Sequence, residues 1–239
     1  MKKLAAALFV LINFGALSMA ASATDVTLSI QGSPFGGAVF VQSLNESVYT
    51  YPYTFSINGS STLTPLMCID FSRDTPGGAT WIATPETLAQ AVLPESPNPP
   101  NVGTPPTQKQ IDADAFILAE ILNTTNTTTI EELQFAAWQA IAGTGAYTGN
   151  ATFDAIAAAD LAFAYANDPA AGDSFYNNFT LYVPDPDIAG AEQRFLGVNG
   201  TTPPPIPHLT PAPEPSSLLL LGTGVLGAAG MLRRRLVKA

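Results

Sequence analysis

The chain has 239 residues, of which 46% are hydrophobic and 12% charged, with 19 acidic side chains against 9 basic ones and a formal net charge of −10. The apolar fraction argues against a disordered chain, and the acidic excess argues against nucleic acid as a partner. A single cysteine and a single histidine exclude an internal disulfide and a thiolate zinc site, which needs four ligands.

Lys2 and Lys3 precede an apolar run that ends in Ala21-Ser22-Ala23, the pattern of a signal peptide over 1–23 that signal peptidase removes. The body follows over 24–200. Its opening segments "DVTLSI", "GGAVFVQSL", "YTYPYTFSI" and "TPLMCIDF" carry β-branched and aromatic residues between Gly, Ser and Asn turns, which predicts strands across 25–82. Residues 83–110 are proline-dense and predict a loop.

The period then changes. Ile111 to Asn123 and Ile130 to Ala142 place apolar residues at helical spacing. Thr128 or Thr129 is the expected cap of the second helix, with Glu131 and Glu132 in its first turn at the positive end of the dipole. A third helix is expected over 152–166, and "FYNNFTLYV" and "QRFLGV" are late strand candidates. The fold class is α+β: a β-rich domain with two or three helices inserted between early and late strands, flanked by the signal peptide and a C-terminal transmembrane helix. Between 24 and 213 only Arg73, Lys109 and Arg194 are basic, against eighteen acidic residues.

Residues 201–212 form a Pro-rich linker that contains His208. Beyond it come Pro213-Glu214-Pro215, an apolar stretch over 216–232 and the cluster Arg233, Arg234 and Arg235. Arginines of this kind hold a helix end at the cytoplasmic face while the helix crosses the inner membrane. This order over 213–239 resembles the PEP-CTERM sorting tail of exported Gram-negative proteins, a tail type that also carries the label of an ice-binding-protein C-terminal domain. It departs from that pattern at Ala212, where Val is usual. The resemblance implies export through the inner membrane, transient anchoring, and an exosortase that cuts near the Pro-Glu-Pro step before release to the cell surface or outside. An ice-binding role is disfavoured, because no Thr-x-Thr ladder runs along the strands.

Cys68 is an unpaired thiol in an exported chain, where cysteines ordinarily pair. A Cys-His hydrolase needs a base within reach, and His208 lies in the linker. Asp70, Asp74, Asp185 and Asp187 offer oxygen ligands of the kind calcium takes, but no twelve-residue loop with the required spacing occurs. Neither a metal nor a cofactor is expected, and no enzymatic activity.

"MCID" around Cys68, followed downstream by "LQFAAW", is similar to the paired signatures of bacterial surface thioester domains. The resemblance implies Cys68 as sulfur donor and Gln134 as acyl donor, with Asp70, Ala136 and Trp138 in supporting positions. Met67, Leu133 and Ala137 depart from the usual residues. Trp138, at i+4 from Gln134, is placed to shield the bond, with Phe71 and Trp81 as helpers. Two functions stay open at this point. One is an adhesion or matrix protein that attaches covalently to a surface polysaccharide or protein target. The other is a non-reactive structural component of the envelope or exopolysaccharide matrix, in which Cys68 is a small buried hydrophobe between Met67 and Ile69.

Overall fold

The computed structural model describes residues 24–31, 36–70, 73, 75–89, 106–143, 146–187, 192–200 and 204–206. The signal segment 1–23, the tail 213–239 with its expected span 216–232, most of the linker, and Phe71, Asp74 and His208 lie outside the described residues. Among the described residues no helix is long and apolar enough to cross a membrane.

Six early strands come first: β1 (Val26–Ile30), β2 (Ala38–Val41), β3 (Glu46–Tyr49), β4 (Tyr53–Ile57), β5 (Leu63–Cys68) and β6 (Thr80–Glu86). Three helices follow, α1 (Gln108–Leu122), α2 (Thr127–Ala142) and α3 (Ala151–Asn167). A 3₁₀ turn (Ser174–Asn178) then leads into β7 (Phe179–Pro184) and β8 (Phe195–Val198). The strands β1-β4-β5-β8-β7-β6 close into a barrel, each joined to its neighbours by antiparallel pairing. β2 and β3 form a separate hairpin.

Side-chain alternation along each strand divides the apolar residues into two cores. Leu28, Phe55, Leu66, Cys68, Trp81 and Phe195 point into the barrel. Their rings meet edge-on, with Phe55 4.7 Å from Phe195 and 5.7 Å from Trp81 between centroids. Met67, Phe179, Leu181 and Leu196, on the opposite face, pack against Phe116, Phe135 and Trp138 of the helices. The helices therefore cover one flank of the barrel. The inner face of the hairpin, Val39 and Val41, joins the same core. Gly37 lies so close to α2 that a Cβ there would sit 1.7 Å from the Glu131 carboxylate.

α1 is buried from Ile111 through Ala119, more than the one-sided stripe its periodicity suggests, because the barrel, α2 and α3 all press on it. Thr107 begins it with a capping box shared with Gln110. α2 starts earlier than its apolar period predicts. Asn126 is its cap and accepts from the Thr128 and Thr129 amides, so Glu131 and Glu132 lie beyond the first turn and the expected threonine cap is corrected. A second correction concerns 83–110: β6 runs on to Glu86. β1 pairs with it only as far as Ala83, leaving Thr84 to Glu86 bonded to β7 alone, and Pro85 is tolerated at such an edge.

Burial pushes the Glu120 carboxyl from 4.5 up to about 7, with Asp160 adding to the effect, and pushes Asp160 from 3.8 up to about 6, with Glu132 adding. Both groups bind protons more tightly in the folded state. Their stabilising contribution is complete below their unfolded values and is lost as pH rises through the folded ones. Thermal melts should therefore show Tm falling between pH 4.5 and about 7, and Glu120→Gln should flatten that slope. A Tm constant or rising across the window would show that these carboxyls are solvated.

Candidate functional site

Cys68 is the last residue of β5, fully buried, and paired with Phe195 of β8. Its thiol donates to the Asp70 carbonyl at 3.5 Å. Burial, helped by the Asp70 charge, pushes the thiol far above its ordinary value, while the Asp70 backbone and, less, the Trp138 side chain pull the other way. The resting group is a neutral thiol.

α2 brings the second half of the site. Gln134 and Trp138 are one turn apart on the same helix face, and both are buried, at 0% and 1% exposure. The Gln134 Nε2 donates to the Cys68 carbonyl at 2.7 Å, across 66 positions of sequence. Gln134 Oε1, also buried, has no hydrogen-bond partner among the described residues. Trp138 packs edge-on against Phe135 at 5.9 Å. Ala136 is fully buried, and its single methyl lets α1 approach α2 closely. Trp81 lies inside the barrel with Cys68.

Asp70 belongs to a buried ionic knot. Its carboxylate lies 3.3 Å from Arg73 Nε; Arg73 Nη1 is 2.5 Å from Asp187 Oδ1, and Arg194 Nη2 is 2.5 Å from Asp187 Oδ2. Burial pushes the Asp70 carboxyl above its ordinary value against the pull of Arg73 and Arg194. Gln193 Nε2 donates to the carbonyls of Asp70 and Arg73 at 3.0 and 2.6 Å. The Asp70 carbonyl that receives the Cys68 thiol is thus fixed from the β7–β8 connection. Sequence reasoning missed Arg73, Asp187, Gln193 and Arg194 as a unit. The available signal was that two of the body's three basic residues had no obvious surface role. Asp70 and Asp187, weighed as calcium ligands, are occupied by guanidinium groups. Among the described residues no group of three or more His, Cys, Asp or Glu is arranged to hold a metal ion.

A cavity of about 390 Å³ opens beside the site, lined by Glu46, Tyr49 and Tyr53 from the hairpin side, by Arg73 and Gln193 of the knot, and by Trp138. Trp138 therefore lines this space and also acts on the Cys68 thiol, whose ionised form its side chain favours.

Neither the curated proteins nor the solved structures contain a match to this chain. Residues 211–235 match the PEP-CTERM protein-sorting motif. The chain therefore carries an exosortase sorting signal, the mark of an exported protein that is anchored transiently in the membrane before display at the cell surface.

Proposed function

We propose that the body is a covalent attachment module in which Cys68 Sγ and the Gln134 side chain join as an internal thioester. The observation that carries this reading is the 2.7 Å hydrogen bond from the Gln134 side-chain amide to the backbone carbonyl of Cys68, two fully buried residues. A buried glutamine that bonds the backbone of the chain's one cysteine, with its own carbonyl oxygen unpartnered among the described residues, supports acyl transfer at that cysteine. The thiol sulfur attacks Gln134 Cδ, the Cδ–Nε2 bond breaks, and ammonia leaves. The resulting acyl group is activated, and an amine or hydroxyl of a surface protein or polysaccharide captures it, returning the Cys68 thiol. Each molecule reacts once, so the module is an attachment device rather than an enzyme. Trp138 keeps water from the bond, and the cavity beside it is the approach for the target. A chain sorted by exosortase to the cell surface meets such targets there.

The test is the intact mass of the full-length chain, purified in detergent, before and after methylamine. The expected result is a mass short by one ammonia relative to the sequence that rises by one methylamine on treatment, ending one CH2 above the sequence mass with the added group at Gln134, and Cys68→Ala showing neither effect. A wild-type chain of full mass, whose Cys68 titrates once denatured as a free thiol, would sink the covalent reading and leave a non-reactive component of the envelope or matrix.

A further inference from the structure

The cavity of about 390 Å³ falls in the range of small-ligand sites, roughly 300–1,000 Å³, and it grades from an open mouth to a closed floor. β3 pairs with β2 alone among the described residues, and all four of its residues, Glu46 to Tyr49, line the cavity. Glu46 is exposed and Tyr49 is 51% exposed, so they form the mouth. Tyr53, Trp138, Arg73 and Gln193 are buried and form the floor. The Tyr53 hydroxyl donates to the Tyr49 carbonyl, which ties the mouth to the floor.

The polar groups of the floor are held in place and carry no net charge. The guanidiniums of Arg73 and Arg194 share the carboxylates of Asp70 and Asp187, two cations against two anions. Within that balance Arg73 Nη2 has no hydrogen-bond partner among the described residues. Gln193 commits its side-chain N–H groups to the Asp70 and Arg73 carbonyls, which leaves its Oε1 to accept. Thr75, also in the lining, accepts from the Gln193 backbone amide at 2.9 Å and keeps its O–H to donate. Donors and acceptors set side by side match hydroxyl groups, each of which gives one hydrogen bond and takes others. The rings of Tyr49, Tyr53 and Trp138 add aromatic surface beside them.

We propose that this cavity is a reversible binding site for a neutral sugar unit of a polysaccharide. A pyranose ring has an apolar C–H face and a rim of hydroxyls. The face lies against the aromatic rings, while the hydroxyls meet the Glu46 carboxylate at the mouth and the Thr75 and Gln193 groups of the floor. A charged ligand fits less well. An ammonium group would meet the Arg73 guanidinium in the floor, and Glu46, the one acid of the lining, stands where water screens it. An anion would approach against the acidic surplus of the chain. The site does not depend on the covalent reading: it serves a thioester module by holding a hydroxyl near the acyl group, and it serves a non-reactive matrix component equally.

The test is calorimetric titration of the full-length chain, in a detergent without a sugar headgroup, with maltohexaose, cellohexaose and N-acetylchitohexaose as neutral probes and trilysine and hexagalacturonate as charged ones. Wild type and Cys68→Ala are titrated in parallel, so that acyl capture contributes nothing to the second. The expected result is saturable binding of at least one neutral hexamer by both proteins, weakened at least ~10-fold by Tyr49→Ala and by Glu46→Gln. Both variants should keep the wild-type Tm, because both side chains stand at the exposed mouth. Binding of trilysine or hexagalacturonate in place of the neutral hexamers would overturn the proposal in favour of a peptide amine or an acidic polymer. A neutral hexamer that binds both variants as tightly as wild type would overturn it by placing the sugar outside the cavity. Binding of none of the five would also overturn it, while the ammonia-loss measurement decides the covalent reading separately.

Discussion

Asp187→Ala is expected to destabilise the domain by about 3–5 kcal/mol, the range for breaking a buried ion pair by removing one partner. Asp187 is a fully buried carboxylate whose two oxygens serve two cations, Oδ1 facing Arg73 and Oδ2 facing Arg194, each at 2.5 Å. Without it, both guanidiniums stay in the interior with Asp70 and Glu86 as the remaining acids nearby, and Asp70 reaches Arg73 at the longer distance of 3.3 Å. The effect is not local. Arg73 also donates to the Glu192 carbonyl at 3.2 Å, and the Arg194 carbonyl accepts from the Ile69 amide at 3.2 Å, so the knot ties the end of β5 to the start of β8. Denaturant unfolding gives the energy, and the rate of Cys68 labelling in the native protein gives the reach of the damage. A loss below about 1 kcal/mol, the scale of a surface pair, would mean that water already enters the knot.

The legible part of this fold was the part with strong period. The three helices between early and late strands follow from apolar spacing, and the strands of the barrel from β-branched and aromatic runs. Barrel closure was not legible, because it depends on β1 finding β4 on one side and β6 on the other, a pairing across long separations that leaves no mark in local composition. β6 was missed for a different reason. "TWIATPE" mixes alternation with a proline, and only the one-sided pairing beyond Ala83 makes that proline harmless. The start of α2 was misplaced because Thr127 to Thr129 are polar and carry no apolar period, whereas the cap lies just before them in Asn126.

The site divides in the same way. Cys68 stood out by being alone, and Gln134 and Trp138 through the resemblance of "LQFAAW", read beside "MCID", to paired thioester signatures. The structure brings all three together, with Asp70 adjoining through its carbonyl. Arg73, Asp187, Gln193 and Arg194 were not legible as a unit because the pair that joins them, Arg73 with Asp187, links distant parts of the chain. The buried Asp114 was hidden among the acids of α1, Asp112 and Glu120, each of which reads as a solvent-facing residue until burial is known.

Trp138→Ala is the second large change, and it separates packing from protection. Trp138 is 1% exposed, packs on Phe135 at 5.9 Å, and lines the cavity of about 390 Å³ that reaches the surface. Truncation of a buried tryptophan costs about 3–5 kcal/mol through lost transfer energy and the void left behind. Here the void would merge with the existing cavity and open a path for water to the Cys68 sulfur. The expected result is a folded but weakened protein whose mass, after ammonia loss, gains one water as the acyl bond hydrolyses, while wild type keeps its bond over the same period. Trp138→Phe discriminates further, because it retains most of the ring volume but removes the polar N–H, which favours the ionised thiol. If bulk is what protects the site, Trp138→Phe holds its acyl bond nearly as well as wild type. If the N–H governs reactivity, Trp138→Phe keeps most of its stability and still loses the bond quickly. Hydrolysis of Trp138→Ala no faster than wild type would place the barrier elsewhere than at Trp138.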